Sequence, residues 1–183
     1  MPSPTVSTAE ELLSLREPGV RHELVRGELR RMSPAGHWHG DVGARLSERL
    51  IRHVREQRLG KTYVAETGFL LTRNPDTVLA PDLAFVCSER LPPPRSMGFF
   101  PGPPDLAVEI RSPRDTRRDT HEKVRAWLEH GVRSVWVVDP AAGTVTIVHG
   151  THDVRELRGD DELTDDVVPG FRLAVCELFL EHD

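Results

Sequence analysis

The sequence predicts an α/β (α+β) protein, a mixed β-sheet with helices packed on it, in a single domain spanning residues 1–183. Three observations predict it. Two long segments carry apolar residues at helical spacing, and several short segments rich in Val, Leu, Ile and Phe have the length and composition of strands. The two kinds of segment also interleave along the chain, which calls for helices laid against one sheet. A chain of 183 residues can bury roughly 70% of the surface its unfolded form exposes, enough for a substantial core.

The elements follow in order. STAEELLSLR, residues 7–16, predicts a short helix capped by Ser7 or Thr8, with acidic residues in its first turn. HELVRGELRRMS predicts a hairpin that turns at Gly27. In HGDVGARLSERLIRHVREQR, Val42, Leu46, Leu50 and Val54 recur every four residues and define the buried stripe of a helix. Its other faces carry Arg45, Arg49, Arg52, Arg55 and Arg58 with Glu48 and Glu56 among them, the pattern of a solvated charged face. KTYVAE, GFLLTR, VLAPDLAFV and DLAVEIRS predict strands. Between the last two lies ERLPPPRSMGFFPGPPD, a connection long enough to serve as a lid, a binding loop or a dimer contact. RDTRRDTHEKVRAWLEHG predicts a second helix that ends at Gly131. RSVWVVD and GTVTIVHG are strands joined at PAAG, and the tail offers two or three more.

Composition narrows the function. The first residues lack a basic segment followed by an apolar core, and no apolar run approaches the roughly 20 residues a membrane-spanning helix needs. Cys87 and Cys176 lie far apart in apolar contexts, which predicts buried free thiols in a cytoplasmic protein. A net charge of −5 argues against coating nucleic acid through bulk charge but leaves room for a local basic groove. No glycine-rich phosphate loop and no GxSxG elbow is present, so nucleotide hydrolases and serine esterases lack support. HWH at residues 37–39 and HGTHD near the tail have the local look of metal pairs but predict surface histidines. GDDELTDD predicts a solvated acidic loop, because it lacks the ligand spacing of an EF-hand.

Two carboxylates stand out. Strand alternation puts Asp105, Ala107, Glu109 and Arg111 on one face of DLAVEIR, and Ala80, Asp82, Ala84 and Val86 on one face of LAPDLAFV. A buried carboxylate needs a partner, and the small alanines leave room beside each acid for a metal ion or a phosphate. On the second helix, Thr120, Val124, Trp127, Leu128 and Gly131 form the inward stripe, with Lys123 on its edge. Two acids and a lysine on such a framework suit metal-assisted phosphodiester hydrolysis: the acids hold Mg²⁺, and the lysine orients a water or stabilises charge on the phosphate. The competing reading is that Asp82 and Glu109 are ion-paired to Arg111 or Lys123 for stability alone.

APDLAFV, PPDLAVEIRSPRDT and EKVRAWLEHGVRSVWVVDP, in that order, resemble the Uma-two family, bacterial proteins regarded as restriction endonucleases and once classed as a domain of unknown function. That family lies within the PD-(D/E)XK nuclease superfamily. HELVRGELRRMSP, with His39 opening the next helix, also fits the family pattern, so the resemblance covers most of the chain. It implies a restriction-endonuclease-like mixed β-sheet flanked by helices, with extra N-terminal strands. It implies a Mg²⁺- or Mn²⁺-dependent endonuclease acting on DNA, with RNA as the other substrate class.

Residue by residue, Asp82 matches the motif aspartate and Glu109 the motif acid, both as metal ligands and as catalytic residues. The superfamily's lysine position, two after the acid, holds Arg111, which can grip a phosphate bidentately but is a poor proton carrier. The family resembles one in which that lysine has moved to the following helix, and Lys123 matches the new position. Glu23 and His39 match family positions bordering the site, and Trp127 stands where relatives often carry tyrosine, which implies a packing role. A homodimer is expected by analogy, with Phe99 and Phe100 supplying an apolar contact. The reading from another class is a catalytically silent nuclease-fold module that binds nucleic acid or a protein partner.

Overall fold

The structure, a computed structural model, describes residues 6–113, 115–150 and 153–180. The chain opens with α1 (Ala9–Ser14), the hairpin β1 (Arg21–Val25) and β2 (Glu28–Met32), and the long α2 (His37–Glu56). Four strands follow: β3 (Gly60–Val64), β4 (Phe69–Thr72), β5 (Thr77–Leu79) and β6 (Leu83–Cys87). The Pro-rich connection contributes β7 (Phe100–Pro101) and leads into β8 (Leu106–Ile110), α3 (Arg117–Glu129) and β9 (Ser134–Asp139). The chain then adds β10 (Thr144–His149), β11 (Asp153–Arg158), β12 (Glu162–Leu163) and β13 (Leu173–Ala174).

These strands make a six-stranded mixed sheet ordered β11-β10-β9-β8-β6-β3, a five-stranded sheet ordered β2-β1-β5-β4-β7, and the small pair β12-β13. In the six-stranded sheet only β8 and β9 are parallel, and α3 is the connection between them. One face of that sheet packs against α2, whose Val42, Leu46, Leu50 and Val54 are all buried with Leu106, Val108 and Ile110 of β8. Charged partners occupy the helix's outer faces, as Arg45 pairs with Asp41, Arg49 with Glu177 and Arg52 with Glu48. The opposite face, with Ala84, Ala107 and Val137, packs against Trp127 of α3 and against Phe69, Leu79 and Phe100 of the second sheet. No described helix is long and apolar enough to cross a membrane.

Four expectations need correction. VLAPDLAFV is not one strand but two, β5 and β6, which lie in different sheets. Pro81 lacks an N–H for a ladder and holds the residue before it away from a continuous pairing. Phe100 is buried against Tyr63 and Phe69, so its ring offers no free apolar contact to a second copy, while Phe99 is half-buried over Gly68. GDDELTDD is not a solvated loop throughout: Asp165 is buried and accepts hydrogen bonds from Ser134, Trp136 and the Val167 N–H at 2.5, 2.8 and 2.9 Å. Cys87 and Cys176 are free thiols, but both are part-exposed rather than buried.

Candidate active site

The site begins where β5 gives way to β6. Having left the five-stranded sheet at Pro81, the chain joins β8, with the Asp82 N–H donating to the Val108 carbonyl at 3.0 Å. The side chain is locked to the same strand, because the Ile110 N–H donates to Asp82 Oδ2 at 2.8 Å. Continuing the antiparallel β6–β8 register, in which Leu83 faces Val108, by one residue sets Asp82 across from Glu109. Residues directly opposite in such a pair have Cβ atoms about 4.5–5.5 Å apart.

Glu109 is 6% exposed and receives both of its hydrogen bonds from α3. Lys123 Nζ donates to Oε2 at 2.9 Å, and Trp127 Nε1 donates to Oε1 at 2.8 Å. Lys123 and Trp127 are four residues apart, so one helix face delivers both donors. Ala84 and Ala107 lie in the same buried cluster as Trp127. The indole therefore packs beside Ala84 and Ala107, whereas Ala80, the alanine on the other side of Asp82, lines an open cleft. Trp127 is the site residue that sequence reasoning undervalued. Its signal was available: a tryptophan on an inward helical stripe needs a partner for its N–H.

On the other side of Asp82, His39 in the first turn of α2 places Nε2 3.1 Å from Oδ1. The ring's Nδ1 is buried without a hydrogen-bond partner. Glu23, 5% exposed in β1, accepts the Ala80 N–H at 3.1 Å and so ties the hairpin to the strand break that presents Asp82. Asp82, Glu109 and Lys123 thus meet, with Glu23 and His39 at their border. Arg111 does not join them. It is ion-paired to Asp139 and donates to the Asp115 carbonyl at 3.0 Å, joining β8 to the end of β9 and the loop before α3.

Protonation follows the surroundings. Burial pushes Glu109 up to about 7, opposed by the Lys123 charge and helped by those of Asp82 and Glu23. Burial alone would lower Lys123, but Glu109, Glu23 and Asp82 more than offset that and raise its pKa, so it stays charged. For Asp82, burial works upward, while His39, the Ile110 N–H and Lys123 together hold it below the ordinary carboxylate range. His39 is raised, chiefly by its hydrogen bond to Asp82.

Among the described residues, no three or more His, Cys, Asp and Glu side chains group as a metal cage. The donor set is instead two carboxylates, each oxygen of which accepts one protein hydrogen bond and keeps a second lone pair. Hard oxygen donors in that number fit Mg²⁺ or Mn²⁺, which retain waters and take further ligands from substrate phosphate. Asp82 opens onto a cleft of about 380 Å³ that Glu23, Lys123 and the leucines of α1 also line.

A mixed sheet flanked by helices, with one acid just before β6 and another on β8, is restriction-endonuclease-like in architecture. The chain belongs to the Uma2 family, described as "Putative restriction endonuclease", which it matches over residues 9–176. The crystal structure of a "putative nuclease belonging to DUF820" from Anabaena variabilis ATCC 29413 is similar in fold. Its TM-score is 0.81 at 21% sequence identity, over 94% of this chain and 97% of that one. No curated protein matches the chain.

Proposed function

We propose that the protein is a metal-dependent endonuclease that hydrolyses phosphodiester bonds of DNA, with Asp82 and Glu109 as ligands of Mg²⁺ or Mn²⁺ and Lys123 acting beside them. The observation that carries this reading is the 2.9 Å contact between Lys123 Nζ and Glu109 Oε2, on a strand whose register sets Glu109 across from Asp82. When bound, a divalent cation supplies polarisation of the phosphate and a more acidic water. Hydrolysis joins the water oxygen to phosphorus and breaks a P–O ester bond, and one water proton ends on the leaving hydroxyl.

The chain's own residues divide the remaining work. Lys123 stays protonated, so it donates rather than accepts, orienting the attacking water or holding charge that develops on the phosphate. Trp127 and the Ile110 N–H are positioning groups that hold one oxygen of each acid in place. His39 does the same for the second oxygen of Asp82.

One observation favours the second reading, a catalytically silent nucleic-acid- or protein-binding module. All four oxygens of Asp82 and Glu109 already accept protein hydrogen bonds, as they would in a closed structural network. Calorimetry with MnCl₂ separates the two. Binding is expected in the natural protein and not in Asp82→Ala; equal binding in the variant would reject the assigned site. Lys123→Met is expected to keep Mn²⁺ binding and to lower plasmid nicking in Mn²⁺ by roughly 100-fold. Failure of the natural protein to cut any DNA or RNA in Mn²⁺ would favour the silent module.

A further inference from the structure

We propose that the cleft beside Asp82 and Glu109 takes one unpaired nucleotide, so that the strand reaching the acids is single-stranded or has a base turned out of its duplex. This rests on the nuclease reading of the site and names its substrate class. The cleft has a mixed lining. Glu23, Asp82 and Lys123 belong to its polar lining, while Leu12 and Leu13 of α1, Leu15 just after it, Met32 and Phe99 make its apolar lining.

The apolar wall is built into the fold. A capping box between Thr8 and Glu11 starts α1, the Ala9 N–H donates to the buried Asp76 Oδ2 at 2.8 Å, and Arg73 pairs with Glu10 at 2.7 Å. These ties hold α1 at the cleft, with Leu13 left 48% exposed. Phe99 is fixed by packing over Gly68, where a Cβ would come within 2.4 Å of its ring.

A wall of leucine, methionine and phenylalanine has little to contact on a paired duplex, which turns phosphates and sugars outward and keeps its base faces stacked. An unstacked base has an apolar face that such a wall can cover, as aromatic and apolar side chains do in flipped-base and single-strand sites. The size agrees, since about 380 Å³ lies near the small end of the roughly 300–1,000 Å³ of small-ligand pockets. Charge agrees too. Arg21, on the same face of β1 as Glu23, lines the cleft and brings a guanidinium to a phosphate attached to that nucleotide.

Fluorescence anisotropy of the full chain in EDTA tests this without any catalytic step. A short labelled single strand is expected to bind at least roughly tenfold tighter than the duplex of the same sequence. A duplex with one unpaired 2-aminopurine is expected to bind with an intermediate affinity and a change in that base's fluorescence. Leu13→Asp, at an exposed position, and Phe99→Leu, which keeps the apolar bulk, are each expected to weaken single-strand binding by about fivefold or more. Mn²⁺ calorimetry should be unchanged in both variants. Equal affinity for single strand and duplex, natural affinity in both variants, or no binding of any strand would each overturn the proposal. If Mn²⁺ binding and nicking persist without strand preference, only the unpaired-nucleotide inference falls. If the preference persists while Mn²⁺ binding and cleavage are absent, the nuclease reading falls instead.

Discussion

Glu109 shows how one residue's burial turns into a measurable pH dependence. Its ordinary pKa of 4.5 moves up to about 7 because burial penalises the carboxylate more than Lys123 relieves it. The folded state therefore holds a proton more tightly than the unfolded chain between those two values. The resulting stability is fully present below 4.5 and is lost as pH rises through about 7. Asp82 has the opposite sign: its depressed pKa contributes stability above the unfolded value of 3.8 that is lost in acid. In metal-free protein, raising the pH from about 5 to about 8 should lower Tm more in the natural chain than in Glu109→Gln, which removes the titrating group. Parallel Tm-against-pH curves for the two would show that Glu109 does not titrate in that window.

At the scale of elements, α3 decides whether the acid on β8 has partners. Its N-terminus is set by a reciprocal pair: the Asp119 N–H donates to Thr116 Oγ1 at 3.1 Å, and the Thr116 N–H donates to Asp119 Oδ2 at 3.0 Å. Gly131, at φ +93°, lets the chain turn off the helix and into β9. Between these ends, helical spacing aims Lys123 and Trp127 at Glu109. Thr116→Ala removes the cap and should cost about 1 kcal/mol in urea unfolding. A change below a few tenths of a kcal/mol would mean that tertiary packing alone starts this helix.

For the whole molecule, the second sheet is what covers the α3 side of the six-stranded sheet. Phe100 of β7 lies 5.1 Å, centroid to centroid, from Phe69 of β4 and 5.6 Å from Tyr63 of β3, so its ring packs the second sheet against the first. Phe100→Ala should cost about 3–5 kcal/mol through the cavity it leaves. It should not change the elution volume of the folded protein in gel filtration, because the ring is internal. A variant that keeps its stability but elutes at a smaller apparent size would restore the Pro-rich connection as an interface between copies.

Much of this was legible in the chain. The four-residue recurrence from Val42 to Val54 identified α2 and its buried side. The alternation in DLAVEIR put Glu109 on the opposite face of β8 from Leu106, Val108 and Ile110, while the edge position of Lys123 left it equally able to face the sheet or solvent, and the packing of α3 turned it to Glu109. Periodicity sufficed there because it depends only on local backbone geometry. What the tertiary structure alone decided is how side chains distant in sequence pair. Arg111 shares the face of Glu109 by alternation, yet it turns to Asp139, a choice made by the neighbouring strand. The alanines beside the acids promised space, and packing divided them: Trp127 covers Ala84 and Ala107, while Ala80 lines the cleft. VLAPDLAFV looked continuous because both of its halves are apolar, but Pro81 and the pairing of each half with a different sheet divide it. Sequence spacing determines which face a residue presents, while the partner it meets is set by which element packs against that face.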